Sequence, residues 1–293
     1  MRPWIRMAVA AGGMWAAVAG AQSWLWSPGG AGGGIAGERE EWASASIAWA
    51  PTETIEDSTE KFGFLEAAGR MSLGYYWLRS GSFDFDARAR LWLTLDGGRY
   101  EVPGALAQLF VRTRWDLRLS PITARFEAMP GYYAEPEHVE WDDFNLPVAA
   151  SAIFEPVRGL SGQAGFVVYP GFENYLDPIL RVRWQPAALL TADVGYPETR
   201  VAVCPHPQLK LVGGWQVNRV WQFSLSSDDR KGDFMMRDQR LYLGLDVGEP
   251  GRLTFSARLT WLLERELDYE AGLYQDAQVD DGVMYWIGVS GEF

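Results

Sequence analysis

The chain has 293 residues, a formal net charge of −12 at pH 7 and 14% aromatic residues, 15 of them tryptophan. An acidic chain is a poor partner for nucleic acid, and past its first twenty residues it holds no apolar run long enough to cross a bilayer as a helix. Its single cysteine, Cys204, excludes a disulfide framework, so stability must come from sheet and core.

The first segment, MRPWIRMAVAAGGMWAAVAGA, carries Arg2 and Arg6, then an apolar run from Met7 to Val18, then Ala19-Gly20-Ala21. This is the pattern of a cleaved secretory signal over 1–21, with Gln22 the expected mature start. The run is too short and too rich in Gly and Ala to act as a membrane anchor. Residues 22–41 are Gly-rich and aperiodic and read as a flexible leader, which leaves 42–293 as the folded domain.

From Trp42 onward the dominant signal is a period of two, the mark of a strand. In SFDFDARARLWLTLDGG one face is Phe83, Phe85, Ala87, Ala89, Leu91, Leu93 and Leu95, and the other is Asp84, Asp86, Arg88, Arg90, Trp92 and Thr94. Asp96-Gly97-Gly98 closes the run with turn chemistry. AQLFVRTRWDLRLSP sets Leu109, Val111, Thr113, Trp115, Leu117 and Leu119 against Phe110, Arg112, Arg114, Asp116 and Arg118. GRLTFSARLTWLLERELDYE repeats the scheme, with Arg258, Glu264 and Glu266 on the polar face, and ILRVRWQP places Arg181 and Arg183 likewise. Candidate strands are 42–50, 66–78, 82–95, 107–119, 121–133, 143–155, 159–169, 177–186, 188–196, 208–225, 238–248, 252–269 and 281–293. At about twenty residues per strand and loop the domain predicts roughly twelve spanning strands, with ten and fourteen also open, so 121–133 or 42–50 is expected not to span.

A soluble sandwich and a membrane barrel both produce this alternation, because each has one apolar and one polar face per strand. The runs at 82–95 and 252–264 exceed the five or six residues usual in sandwich strands and suit a tilted crossing of hydrocarbon. Aromatic residues gather toward run ends, as at Tyr75, Tyr76 and Trp77, at Tyr132 and Tyr133, and at Tyr269 and Tyr274, where an interfacial girdle would hold them. The last run, DGVMYWIGVSGEF, alternates Tyr285, Ile287 and Val289 and ends on Phe293.

With these features the chain resembles the outer-membrane β-barrels of Gram-negative bacteria. The resemblance covers roughly 42–293 and rests on the signal, the long alternating runs and the closing YWIGVSGEF. Tyr285, Ile287, Val289 and Phe293 match the assembly signal of that class, while Gly291 departs from it, since a bulkier residue is usual there. The nearest relatives are expected among members of the class with no assigned activity. The resemblance implies an all-β, antiparallel up-and-down transmembrane barrel in the outer membrane, with lipid and the assembly machinery as partners. It carries over no functional residues.

If the apolar faces meet lipid, the lumen holds Asp84, Asp86, Arg88, Arg90, Arg112, Arg114, Asp116, Arg118, Arg181, Arg183, Arg258, Glu264 and Glu266. Charges in a partly dry interior must pair, and the consecutive runs favour Asp84 and Asp86 with Arg112 and Arg114. Such a set either rigidifies a sealed barrel or forms an arginine ladder that favours small anionic solutes. A narrow passive pore is therefore the leading expectation, a sealed scaffold or anchor its rival, and an outer-membrane lipid enzyme the weakest. His206 lies between two prolines and His138 in the acidic stretch EPEHVEWDD, so neither sits mid-strand for a catalytic triad. Oxygen ligation of Ca²⁺ or Mg²⁺ around His138 by Glu135, Glu137, Glu140, Asp142 and Asp143 is a less favoured reading than a solvated acidic loop. No phosphate-binding, dinucleotide or zinc motif is present, and no catalytic residue, cofactor or metal is expected. Cys204, in VAVCPHP, reads as a small hydrophobe near a strand end.

Overall fold

The computed structural model describes residues 41–96, 102–137, 139–170, 175–225, 232–249, 252–270 and 276–292. The expected signal, the leader up to residue 40, His138 and Phe293 lie outside the described residues. One sheet holds every strand of the described residues. In its first half run β1 (Glu41–Thr54), β2 (Lys61–Leu78), β3 (Gly81–Asp96), β4 (Ala105–Leu119), β5 (Ile122–Ala128), β6 (Gly131–Ala134), β7 (Phe144–Asn145), β8 (Val148–Val157) and β9 (Leu160–Tyr169). The second half adds β10 (Tyr175–Ala187), β11 (Leu190–Tyr196), β12 (Glu198–His206), β13 (Leu209–Leu225), β14 (Gly232–Gly248), β15 (Leu253–Tyr269), β16 (Ala277–Val279) and β17 (Gly282–Glu292).

Fourteen of these are staves of a closed antiparallel barrel. β6 continues β5 along β4, β7 leads into β8, and β16 is a short spur on β15. Closure is made by β17, which pairs with β15 on one side and with β1 on the other, from Ala43 opposite Gly291 to Trp49 opposite Tyr285. The pairing leaves the sheet without a free edge. The estimate of about twelve strands is thus too low. Both doubtful segments are staves, since β1 pairs on both sides and 121–133 is β5 with β6. The unanticipated stave is β12, joined to β11 through residue 197 alone, so no turn-rich gap announces it.

The connections differ at the two ends. Beside β1's first residue and β17's last, the links are brief, as at 79–80, 120–121, 158–159, 188–189 and 207–208. Most links at the opposite end are longer, including 97–104, 135–143 and 270–281. Brief turns on one side and longer loops on the other are usual for outer-membrane barrels, whose chain ends lie on the brief-turn side.

Alternation sorts the two faces. On β14, Leu241, Leu243, Leu245 and Val247 point outward and are exposed, while Asp238, Arg240 and Asp246 point inward and are buried. β3 and β4 obey the same rule, with Leu109, Val111 and Trp115 outside and Arg112 and Arg114 inside. Toward the loop end the polarity inverts. There Phe234 and Met236 of β14, Leu262, Leu267 and Tyr269 of β15, Phe62 and Phe64 of β2, and Trp92 of β3 meet inside the barrel in one buried cluster. Outside, at the same level, stand Arg237 and Gln239 of β14 with Glu266 and Asp268 of β15.

A bulge accompanies this inversion. Glu264 adopts φ 46°, and residues 264 and 265 together oppose Asp238 on β14. Straight alternation through β15 assigns Glu264 and Glu266 to the lumen. The extra residue shifts the parity by one, so Arg265 turns inward and buried, whereas Glu264 is exposed beside Gln239 and Glu266 pairs with Arg237.

Candidate functional site: a lumen with two unlike walls

The lumen-facing charges form two walls. The first spans β2 to β5 and is centred on Asp86. Arg112 lies directly across from Asp86 in the β3–β4 register and donates to it through Nε at 2.9 Å and Nη2 at 2.6 Å. Arg88, two residues along β3, is a second donor, and Arg70 of β2 lies 3.6 Å away. One register pair on, Arg114 Nη2 is 2.5 Å from Asp84. Further toward the brief turns, Arg125 of β5 makes a two-pronged bond to Asp116 of β4, both distances 2.7 Å. Arg90 contacts Glu66 of β2 at 3.1 Å. Every charged group of these pairs except Asp116 and Arg70 is buried, which such closely bonded carboxylates and guanidinium groups tolerate. Arg118 stands apart at the turn end, exposed, its guanidinium over the Trp77 ring at 5.4 Å.

The second wall spans β10 to β15 and is looser. Arg181 approaches Asp193 at 3.8 Å and Glu198 at 3.9 Å, and Arg183 approaches Asp193 at 4.0 Å. Buried atoms with no hydrogen-bond partner among the described residues occur on both walls, Arg181 Nε and Glu198 Oε2 here and Glu66 Oε2 and Arg125 Nη1 on the first. The Tyr242 hydroxyl donates to Glu198 at 2.9 Å. Arg258 pairs with Asp246 and also donates to the carbonyl oxygens of Leu245 and Ala257 at 2.8 and 2.9 Å. Lys210 of β13 is within electrostatic reach of Arg200, Asp246 and Cys204. Arg183, Thr191, Asp193, Gly195, Arg200 and Gly214 are all half-buried, so this wall meets more solvent than the first.

The two walls approach each other toward the loop end. Arg240 of β14 holds Asp238 at 2.6 Å and reaches Glu66 of β2 at 4.0 Å. Above that level the apolar cluster spans the interior, with Trp92 edge-on to Phe223 of β13 at 5.1 Å and a bridge between Ala134 and Ser224. A second apolar cluster, including Phe110, Met129, Tyr133, Val167 and Ile179, fills the interior beside β4 to β10.

Of the residues expected in the lumen, Asp84, Asp86, Arg88, Arg90, Arg112, Arg114 and Asp116 belong to the first wall and Arg181, Arg183 and Arg258 to the second; Arg118 stands exposed at the turn end, and Glu264 and Glu266 belong to neither wall. Alternation within β12 and β14 would have added Glu198, Arg200, Asp238, Arg240 and Asp246, and β5 would have added Arg125. In the proposed assembly pattern Tyr285 and Ile287 are exposed on the outer face, with Val289 between them and the brief-turn end. His206 sits at a turn, its Nδ1 accepting from Gln208 N at 3.3 Å. In the acidic loop Asp143 accepts from the Glu140 amide at 2.7 Å, so that carboxylate holds the turn Trp141–Asp143. Among the described residues no group of three or more His, Cys, Asp or Glu could hold a metal ion.

A closed antiparallel barrel with an apolar outer belt and a charged interior is built for lipid outside and polar contents inside, and the chain is an outer-membrane barrel. No protein-family model matches the chain, and no curated protein matches it. Solved structures similar to it include the NanC porin, 10% identical over 86% of this chain and 100% of that one, with a TM-score of 0.45. Acinetobacter baumannii OccAB2 is 12% identical over 86% of this chain and 98% of that one, with a TM-score of 0.30. The outer membrane protein OprD of Pseudomonas aeruginosa is 10% identical over 86% of this chain and 94% of that one, with a TM-score of 0.25.

Proposed function

We propose that the chain is a narrow passive transport barrel whose second wall favours small anionic solutes. The observation that carries this reading is the contrast between the walls. On β2 to β5 Arg112, Arg114 and Arg125 are held in close carboxylate pairs, whereas Arg181 of the second wall stands 3.8 Å from Asp193 and 3.9 Å from Glu198. Fixed positive charge in a low-dielectric passage raises the local anion concentration. No catalytic step is assigned to the barrel. Its partners in this reading are lipid against the outer belt, the assembly machinery at the β17 pattern, and the solutes themselves.

A specific observation favours a second reading, the sealed scaffold: the two apolar clusters that fill the interior near the loops. Purified protein in a planar bilayer under a salt gradient separates the two. The pore reading expects a reversal potential of the sign for anion preference, diminished when Arg181 and Arg183 are both replaced by Ser. Cation preference refutes the anion ladder, and silence from correctly folded protein supports the scaffold.

A further inference from the structure

Two glycines on the second wall stand where a side chain would reshape the lumen. Gly214 of β13 is paired with Tyr242 of β14, and Gly244 of β14 with Arg258 of β15, all on the inner face. A Cβ on Gly214 would lie 2.5 Å from the Tyr242 hydroxyl oxygen and 2.6 Å from Cζ. One on Gly244 would collide with both the Ala257 carbonyl oxygen and Arg258 Cδ and lie 2.9 Å from Arg258 Nη1. Each long side chain therefore lies sideways along the wall, over the bare Cα of its cross-strand glycine, instead of standing into the lumen. Both are tied down in that position. Tyr242 reaches past β13 to donate to Glu198 on β12, and Arg258 is held by Asp246 and by the carbonyl oxygens of Leu245 and Ala257.

We propose that Gly214 and Gly244 set the width of the conduit along β10 to β15, by letting Tyr242 and Arg258 fold flat against the barrel wall. The inference rests on the pore reading. It assigns the solute's path to the more solvated wall, away from the close ion pairs of β2 to β5 and from the apolar clusters. A methyl group at either position pushes the neighbouring side chain inward and narrows the passage.

The test is single-channel conductance in planar bilayers for the native chain, Gly214→Ala, Gly244→Ala and Gly213→Ala, with folding checked by gel mobility before and after boiling. Gly213 is the control, because its Cβ would meet Leu243 on the outer face, 2.9 Å from Cδ2. Gly214→Ala and Gly244→Ala are expected to lower conductance roughly twofold or more, with Gly213→Ala unchanged. Adding Tyr242→Ala to Gly214→Ala is expected to restore it. Native-level conductance in both inner-face variants overturns the proposal while leaving the pore intact, whereas a folded but silent native chain overturns the pore reading and this inference together. A Cβ on Gly214 also crowds the Thr199 carbonyl oxygen at 2.6 Å, and one on Gly244 crowds the Ala257 carbonyl oxygen more closely still. Should that prevent folding, Tyr242→Phe decides, since it frees the ring from Glu198 without crowding the backbone. A reduced or flickering current supports the proposal; a steady native current overturns it.

Discussion

Asp86 shows what a single residue does in a barrel interior. It is 1% exposed and shared among Arg88, Arg112 and Arg70. Removing it takes the closest carboxylate from two buried guanidinium groups, Arg88 and Arg112, a defect that typically costs about 3–5 kcal/mol. Asp193 offers the contrast, its side chain partly solvated, with Arg181 at 3.8 Å and Arg200 across the β11–β12 register. Loose, partly hydrated pairs contribute about 1 kcal/mol or less. Asp86→Ala is therefore expected to lower stability to urea in detergent sharply and Asp193→Ala hardly at all, followed by tryptophan fluorescence. Equal losses would erase the distinction between the walls. The pairing of Asp84 and Asp86 with Arg114 and Arg112 was legible in the sequence, because hairpin neighbours with matched alternation face each other. The weak engagement of Arg181 was not legible, since it depends on distances across β10, β11 and β12.

Among the elements, β15 is the instructive strand. Its inner face reads Thr260, Leu262, Arg265, Leu267, Tyr269, with Glu264 as the surplus residue. A positive φ costs a non-glycine residue roughly 1–2 kcal/mol, so the bulge is maintained by the pairing around it. Deleting Glu264 leaves Arg265 alone opposite Asp238 and keeps every later residue on its present face. The deletion is expected to give a barrel that migrates like the native chain on an unboiled gel. Inserting one alanine between Arg265 and Glu266 instead turns Leu267 and Tyr269 outward and the carboxylates of Glu266 and Asp268 inward, because a one-residue slip exchanges the faces of a strand. That variant is expected to lose the folded band. A folded insertion would refute the parity argument.

At the scale of the molecule, the interior changes character along its length. In the belt the barrel is apolar outside and charged inside. Near the loops the inner face is as dry as the core of a soluble protein and the outer face carries Arg237, Glu266 and Asp268. The clasp between Phe223 of β13 and Trp92 of β3 joins staves far apart around the ring, so it braces the barrel across its lumen. A closed sheet has no edge at which unfolding can start, and the chain is expected to resist detergent until boiled. Phe223→Ala removes a ring with no exposed surface, a change worth about 3–5 kcal/mol in a packed core. It is expected to lower the temperature at which the folded band disappears, while Leu243→Ala on the lipid face leaves it nearly unchanged. Identical behaviour of the two variants would show that the loop-end cluster does not brace the barrel.

Sequence alone determined the class of fold, because a sustained period of two marks a strand and the facing of each residue in it follows from its parity. Parity is local, and it survives without knowledge of the partner strand. Three matters were left to the tertiary structure. The count of fourteen staves depended on a connection one residue long, which leaves no gap between β11 and β12. The outward placement of Glu264 and Glu266 depended on a bulge, which is a relation between two strands and not a property of either. The division of the lumen into a closely paired wall and a looser one depended on which strands approach across the ring, and that is decided by closure, a constraint on the whole circumference that no single segment of the chain records.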